Sequence, residues 1–359
     1  MTALDRLRTW MEARQAGAAV LTDPVSIAYL TGFATNPHER LMALVLRGTS
    51  AVLVVPALEE ASAAAAARGV TVSGWRDGDD PWAPVAAVVD GSSGMLAVEV
   101  DHLSLGRWER LRQIVPAAEP VDAGAEVRRL RARKTAEEIE RLERAARLTD
   151  DITERVLAEL RPGRSELEVA AAVEHEIAVA GARPSFETIV QSGPNSAQPH
   201  LRPGARRLAA GDLVLLDFGA AFAGYRADTS RTFVMGEPDE RQREVHALVL
   251  AAHDAAVAAV RPGAAVGDVD EAARAVIRVG GLAGAFIHRV GHGLGLEAHE
   301  DPSLDPGGDT LLEEGMVVTI EPGVYLPGWG GVRIEDDVVV EGAGGRSLTS
   351  ADRGLRVAG

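Results

Sequence analysis

From residue 1 to about 122, short apolar runs (AAVL, LMALVL, AVLVV, VTV and MLAVEV) alternate with helical stretches such as PALEEASAAAAARG. β-type runs interleaved with helices predict an α/β layer domain over residues 1–122. No G-x-G-x-x-G follows its strands, so the pattern carries no dinucleotide site. Between Val121 and Lys134 the chain turns strongly charged (VDAGAEVRRLRARK), and a second domain is expected over residues 123–359. A long helix should begin there at a capping box, with Thr135 as N-cap and Glu138 in the third helical position. Ile139, Leu142, Thr149, Ile152, Val156 and Leu160 hold one face of it at helical spacing, and Arg161-Pro162-Gly163 stops it.

The second part repeats itself. LRPGRSELEVAAAVEHEIAVAG, starting at Leu160, is similar to VRPGAAVGDVDEAARAVIRVGG, starting at Val260. GDLVLLDFG from Gly211 is likewise similar to EGMVVTIEPG from Glu314, which sets Asp217 over Glu321. The same alignment leaves Asp228 three residues out of step with Glu335 and brings His200 towards His299. A duplicated unit of helix, loop and β-hairpin predicts two halves about a pseudo-twofold axis, each offering one carboxylate pair to a shared centre.

Hairpin geometry explains the pairing. Folding LVLLDFGAAFAGYRADTSRTFVM about Phe222 and Ala223 sets Asp217 opposite Asp228. Folding VVTIEPGVYLPGWGGVRIEDDVVV about Gly328 sets Glu321 opposite Glu335. Directly opposed residues have Cβ atoms roughly 4.5–5.5 Å apart, and carboxylates that close in an apolar strand context are costly without cations. His292, in HRVGHGLGLEAHE, completes the set as a nitrogen ligand. Four carboxylates and one imidazole suit manganese or another hard divalent ion. GHGLG lacks the Lys and Ser/Thr ending of a phosphate-cradling loop. His200 follows a Gly/Pro/Asn/Ser loop that would carry it to a cleft rim, whereas His175, His246 and His253 lie in helical stretches and read as structural.

Bulk properties narrow the alternatives. At 359 residues and 46% hydrophobic content the chain is long enough for two packed domains. Its 37 basic and 53 acidic residues give a net charge of −16, which repels nucleic-acid phosphates and anionic lipid. No apolar run reaches the roughly 18 residues needed to cross a bilayer, and MTALDRLRTWMEARQ has no apolar signal-peptide core behind it. Cysteine is absent, which excludes disulfides and thiolate ligation and fits a reducing cytoplasm. Lys134 is the sole lysine; every other basic residue is arginine.

SFETIVQSGPNSAQPH, LDFGA, ADTSRTF, HRVGHGLGLEAHE, IEPGVY and VRIEDD resemble the motifs of the metal-dependent aminopeptidase P and prolidase family. YLTGF at Tyr29–Phe33 and LRARKTAEEIERLERAA resemble that family's creatinase-like N-terminal domain and linker. The resemblance implies an α+β pita-bread catalytic domain with a dinuclear centre. Asp217 would chelate one ion, His292 and Glu321 the other, and Asp228 and Glu335 would bridge both. It also implies that His200 and His299 orient substrate and stabilise the transition state, that Glu321 shuttles a proton, and that His288 and Arg333 lie in the substrate pocket. Two divalent ions, Mn²⁺ first and Co²⁺, Zn²⁺ or Fe²⁺ as alternatives, would activate water and polarise a carbonyl. The activity so implied is hydrolysis of the bond before proline in an Xaa-Pro dipeptide by a cytoplasmic homodimer. The alternatives are an aminopeptidase P acting on longer peptides, a non-catalytic peptide-binding module, and a methionine aminopeptidase. One departure stands out: several prolidases carry an arginine shortly after the HE pair for the dipeptide carboxylate, where HEDPSLD has Ser303. That leaves the carboxylate to Arg333 or to a residue the motifs do not identify.

Overall fold

A computed structural model of the chain describes residues 1–92 and 94–359. In its first compact unit, Met1–Arg131, strand Ala16–Leu21 buries Ala19 and Leu21 on one side and Ala18 and Val20 on the other. A strand apolar on both faces belongs in the middle of a sheet covered on both sides. Ala16–Leu21 pairs antiparallel with Ala43–Arg47 and parallel with Met95–Val98, inside a six-stranded mixed sheet. Helices Ala3–Ala13 and Pro24–Thr31 supply Leu4, Leu7, Met11, Ile27 and Leu30 to one face. Helices Ala83–Val89 and Leu105–Ile114 supply Val85, Val89 and Leu111 to the other. The boundary expected at 122/123 lies nine residues early: helix Ala123–Ala132 packs Ala123 and Val127 into the first unit's core, and the units divide after Arg131.

The second unit, Ala132–Gly359, starts the long helix where the capping box requires. Thr135 N–H donates to Glu138 Oε2 (2.7 Å) and Glu138 N–H to Thr135 Oγ1 (3.3 Å), opening helix Ala136–Leu157. Leu142, Thr149, Ile152 and Val156 are buried along it. Just before it, Lys134 has a side chain only 1% exposed, its Nζ 3.5 Å from Glu300 Oε2.

The repeat is built twice in three dimensions. Helices Glu166–Val179 and Val266–Val279 each follow a glycine at positive φ, Gly163 and Gly263. Their N–H groups donate to Leu208 O and Leu312 O, both at 2.8 Å. Ser165 bridges Arg207 as Ala265 bridges Leu311. Each helix leads to a hairpin, Leu213–Phe218 with Thr229–Met235 in one half and Val317–Ile320 with Asp336–Glu341 in the other. Among the described residues no helix is long and apolar enough to cross a membrane.

The second hairpin has the expected register: Ile320 pairs with Asp336 and Gly323 with Arg333, so Glu321 and Glu335 face each other between them. The first is corrected by two residues. Its turn is Ala223-Gly224, both at positive φ (49° and 87°), and Phe222 pairs with Tyr225. Two successive residues at positive φ make the tight turn whose twist matches paired strands, and its position sets Asp217 opposite Ser230 rather than Asp228. Asp228 lies in a break of that ladder. There Gly219 passes so close to the other strand that a Cβ would overlap the Ala227 carbonyl. Gly219→Ala should therefore lower stability by at least about 1–3 kcal/mol, read as a lower urea midpoint at unchanged slope.

Candidate active site

Interruptions in both ladders bring the two hairpins together. With their own strand partners missing, Glu335 N–H donates to Ser230 O (3.1 Å) and Asp228 N–H to Asp337 Oδ2 (3.2 Å), each across to the other hairpin. Asp217, Asp228, Glu321, Glu335 and His292 thereby line one cavity of about 280 Å³, with His200, His288, His299, Arg289, Arg333, Phe186 and Ile189. Asp228, His292 and Glu335 form its tightest cluster, each offering a ligand atom within 4.8 Å of the others. His292 Nε2 is 3.4 Å from Glu321 Oε1 and 3.8 Å from Asp228 Oδ2. Asp217 stands on the same wall, one of its oxygens paired with Arg333.

The donor chemistry fits divalent cations. Oδ1 of Asp217 and Oδ1 of Asp228 are buried without any hydrogen-bond partner, a costly state for carboxylate oxygens unless a cation neutralises them. Burial, reinforced by the Glu335 and Asp217 carboxylates, pushes Asp228 well above the ordinary carboxylate range. Burial with Glu321 and Asp217 nearby does the same to Glu335. Burial also pushes Glu321 up to about 7 against the opposing pull of Arg333. His292 is held neutral, its value lowered to about 3 chiefly by burial. Its Nδ1–H donates to Gly293 O (3.0 Å), which leaves the Nε2 lone pair facing the acids. A neutral imidazole fixed by a backbone carbonyl is the usual arrangement of a metal-binding histidine.

The other residues read from sequence divide into two groups. His200 and His299 are exposed on the cavity wall, and the His299 ring centroid lies 4.1 Å from that of His292. The loop carrying His200 is held by buried polar groups. Glu166 accepts from Ser192 N–H (2.8 Å) and Gly204 N–H (3.0 Å), and Gln191 Nε2 donates to Gln198 O (2.6 Å) and Leu201 O (3.1 Å). His288 and Arg333 are tied to each other through a residue the motifs did not single out, Tyr325. Arg333 Nη1 donates to Tyr325 Oη (3.0 Å), and His288 Nδ1 donates to Arg289 O (2.7 Å), so Nε2 accepts the Tyr325 hydroxyl (2.9 Å). Burial and Arg333 lower His288 to about 3, so it stays a neutral acceptor. Tyr325 was legible by strand alternation, since positions 321, 323 and 325 share a face.

Ser230 was also missed. Its Oγ donates to Glu335 Oε2 (2.6 Å) and accepts from Arg333 Nε (2.7 Å), joining an acid of the cluster to the guanidinium that holds Asp217. Ser230→Ala should keep the fold but lower kcat/KM and metal occupancy about 10- to 100-fold, the usual cost of losing a group that orients a ligand. Steady-state kinetics and elemental analysis of the purified variant check both values.

The sequence matches metallopeptidase family M24 over residues 140–342 and the creatinase/prolidase N-terminal domain over residues 4–133. The chain belongs to metallopeptidase family M24. Among M24 relatives, it is 37% identical to the Xaa-Pro dipeptidase of Lactobacillus helveticus across 99% of this chain and 98% of that one. The prolidase from Pyrococcus horikoshii OT3 superposes with a TM-score of 0.92 at 34% identity, covering 98% of this chain and 99% of that chain. An X-Pro aminopeptidase from Thermotoga maritima MSB8 superposes with a TM-score of 0.91 at 29% identity, over the full length of both chains. As an M24 metallopeptidase the chain is a divalent-metal enzyme, with a creatinase-type domain ahead of its α+β catalytic domain.

Proposed function

We propose that this enzyme hydrolyses the peptide bond preceding proline in Xaa-Pro dipeptides. The carrying observation is the convergence of Asp217, Asp228, His292, Glu321 and Glu335 on one small cavity, with two carboxylate oxygens left buried and unpartnered. These five residues would hold two divalent ions, Mn²⁺ being favoured by the oxygen-rich donor set. Such ions polarise the scissile carbonyl and lower the pKa of water. Glu321, near neutral in its proton affinity, would carry a proton to the leaving proline nitrogen. His200 and His299, exposed on the cavity wall, would orient the substrate and donate to its carbonyl oxygen as charge develops there. His288 and Arg333 would complete the pocket through Tyr325.

The cavity, about 280 Å³, falls just below the range of roughly 300–1,000 Å³ for drug-sized ligands, which suits a small substrate such as a dipeptide. The Lactobacillus helveticus and Pyrococcus horikoshii relatives support the same reading. The Thermotoga maritima neighbour favours a second one, removal of one residue from longer Xaa-Pro peptides. Turnover of Ala-Pro against Ala-Pro-Ala by the Mn²⁺-loaded enzyme separates them: cleavage of the tripeptide alone overturns the dipeptidase reading. The same assay with Co²⁺, Zn²⁺ and Fe²⁺ tests the metal. Short proline peptides as substrates, a homodimeric state and a cytoplasmic location belong to this proposal as well.

A further inference from the structure

Two guanidinium groups line the cavity, and they differ in what they hold. Arg333 is committed through all three of its nitrogens, to Asp217, Tyr325 and Ser230. Arg289 makes one side-chain hydrogen bond among the described residues, Nη1 to the Ser303 hydroxyl at 2.7 Å. Among the described residues no carboxylate lies within ion-pair distance of it, and of the four acids in the cavity Glu321 feels its charge from further off. Its place is nonetheless fixed. Ser303 is the cross-strand partner of His292, and the Arg289 carbonyl accepts from His288 Nδ1. A half-buried guanidinium anchored by a neutral hydroxyl keeps its charge and most of its donors for an incoming anion.

Resting on the dipeptidase reading above, we infer that Arg289, positioned by Ser303, binds the free C-terminal carboxylate of the dipeptide and is the residue that selects dipeptides over longer peptides. In an Xaa-Pro dipeptide that carboxylate is the one anionic group present whatever the first residue is. A third residue turns it into a neutral amide with no charge for Arg289 to meet. Arg333 is the poorer candidate, since three of its five N–H groups are already held and its charge is met by Asp217. Ser303 contributes geometry: its hydroxyl holds one end of the guanidinium fork and leaves the other directed at the ligand.

The test compares Ala-Pro with its C-terminal amide on the full-length Mn²⁺-loaded enzyme, and adds inhibition by proline against prolinamide as a binding readout independent of turnover. Wild type should prefer the free acid by about 10- to 100-fold in kcat/KM, as for a hydrogen bond to a charged group. R289Q should abolish that preference by losing Ala-Pro activity while amide turnover changes little. R289K should retain part of it, and S303A should reduce it several-fold. Proline should inhibit wild type better than prolinamide, and R289Q should equalise the two. If R289Q keeps the wild-type preference for the acid, or loses both substrates in equal proportion, the assignment is overturned while the dipeptidase reading stands. If wild type cleaves neither Ala-Pro nor its amide, it is the dipeptidase reading that fails.

Discussion

Asp228→Asn should lower kcat/KM for Ala-Pro by well over about 10²-fold, while the metal-free variant unfolds at the same temperature as wild type or a higher one. The activity loss exceeds that expected for Ser230→Ala, because removing a group that merely orients a ligand costs up to about 10²-fold and Asp228 sits inside the cluster itself. The stability half follows from charge. Asp228 is buried among Glu335, Asp217, Asp337 and Glu321, and one of its oxygens has no partner. An amide of the same shape removes a like charge from that group without leaving a cavity. Kinetics with scanning calorimetry of the metal-free proteins check the pair of values. A variant that keeps its activity would show that Asp228 is not part of the centre; one that is inactive and markedly less stable would show a structural role.

Mn²⁺ affinity should rise with pH through about 7, gaining at least roughly tenfold per unit below that point, as displacement of one proton requires. Burial raises Glu321 to about 7 and puts Asp228 and Glu335 well above their ordinary values, so each tends to hold a proton that the ion must displace. His292, already lowered to about 3, has none to lose, so the slope reports the acids and not the imidazole. The same shift governs the metal-free fold. Glu321 goes from 4.5 in the unfolded chain to about 7 in the folded one, so the folded state binds more protons between those values. Its contribution to stability is complete below 4.5 and lost as pH rises through about 7. Metal stabilisation should therefore be largest above pH 7, and Glu321→Gln should make the affinity slope shallower. Thermal shifts with and without Mn²⁺ from about pH 5.5 to 8 measure this; an affinity independent of pH below 7 would refute it.

The parts legible from sequence were those governed by local rules. The capping box fixed the helix start at Thr135, because two reciprocal hydrogen bonds need only Thr and Glu at the right spacing. Glu321 and Glu335 could be paired because Pro-Gly-Trp-Gly-Gly centres its turn on Gly328, leaving the two arms equal. AFAGY misled by two residues because Ala223, not only Gly224, adopts positive φ, a conformation the sequence does not advertise for alanine. The ladder breaks at Asp228 and Glu335 depend on the other half of the repeat, so no single hairpin could reveal them. Arg289 had no periodic signal at all: it sits in the irregular segment between the turn Ala283–Ala285 and the short strand His292–Gly293, and only the position of Ser303 gives it meaning. The domain boundary slipped because the charged stretch VDAGAEVRRLRARK is also an amphipathic helix, with its apolar side already used by the first unit.

The solitary buried lysine has a practical consequence. With Lys134 only 1% exposed and no second lysine in the sequence, the folded chain offers amine-directed reagents its α-amino group alone, so an activated ester labels one defined position. Under denaturing conditions a lysine-specific endoproteinase gains a single site and cuts the chain into residues 1–134 and 135–359. That cut falls three residues past the division of the two units, so under native conditions the rate at which the two fragments accumulate reports how often the start of the catalytic unit opens.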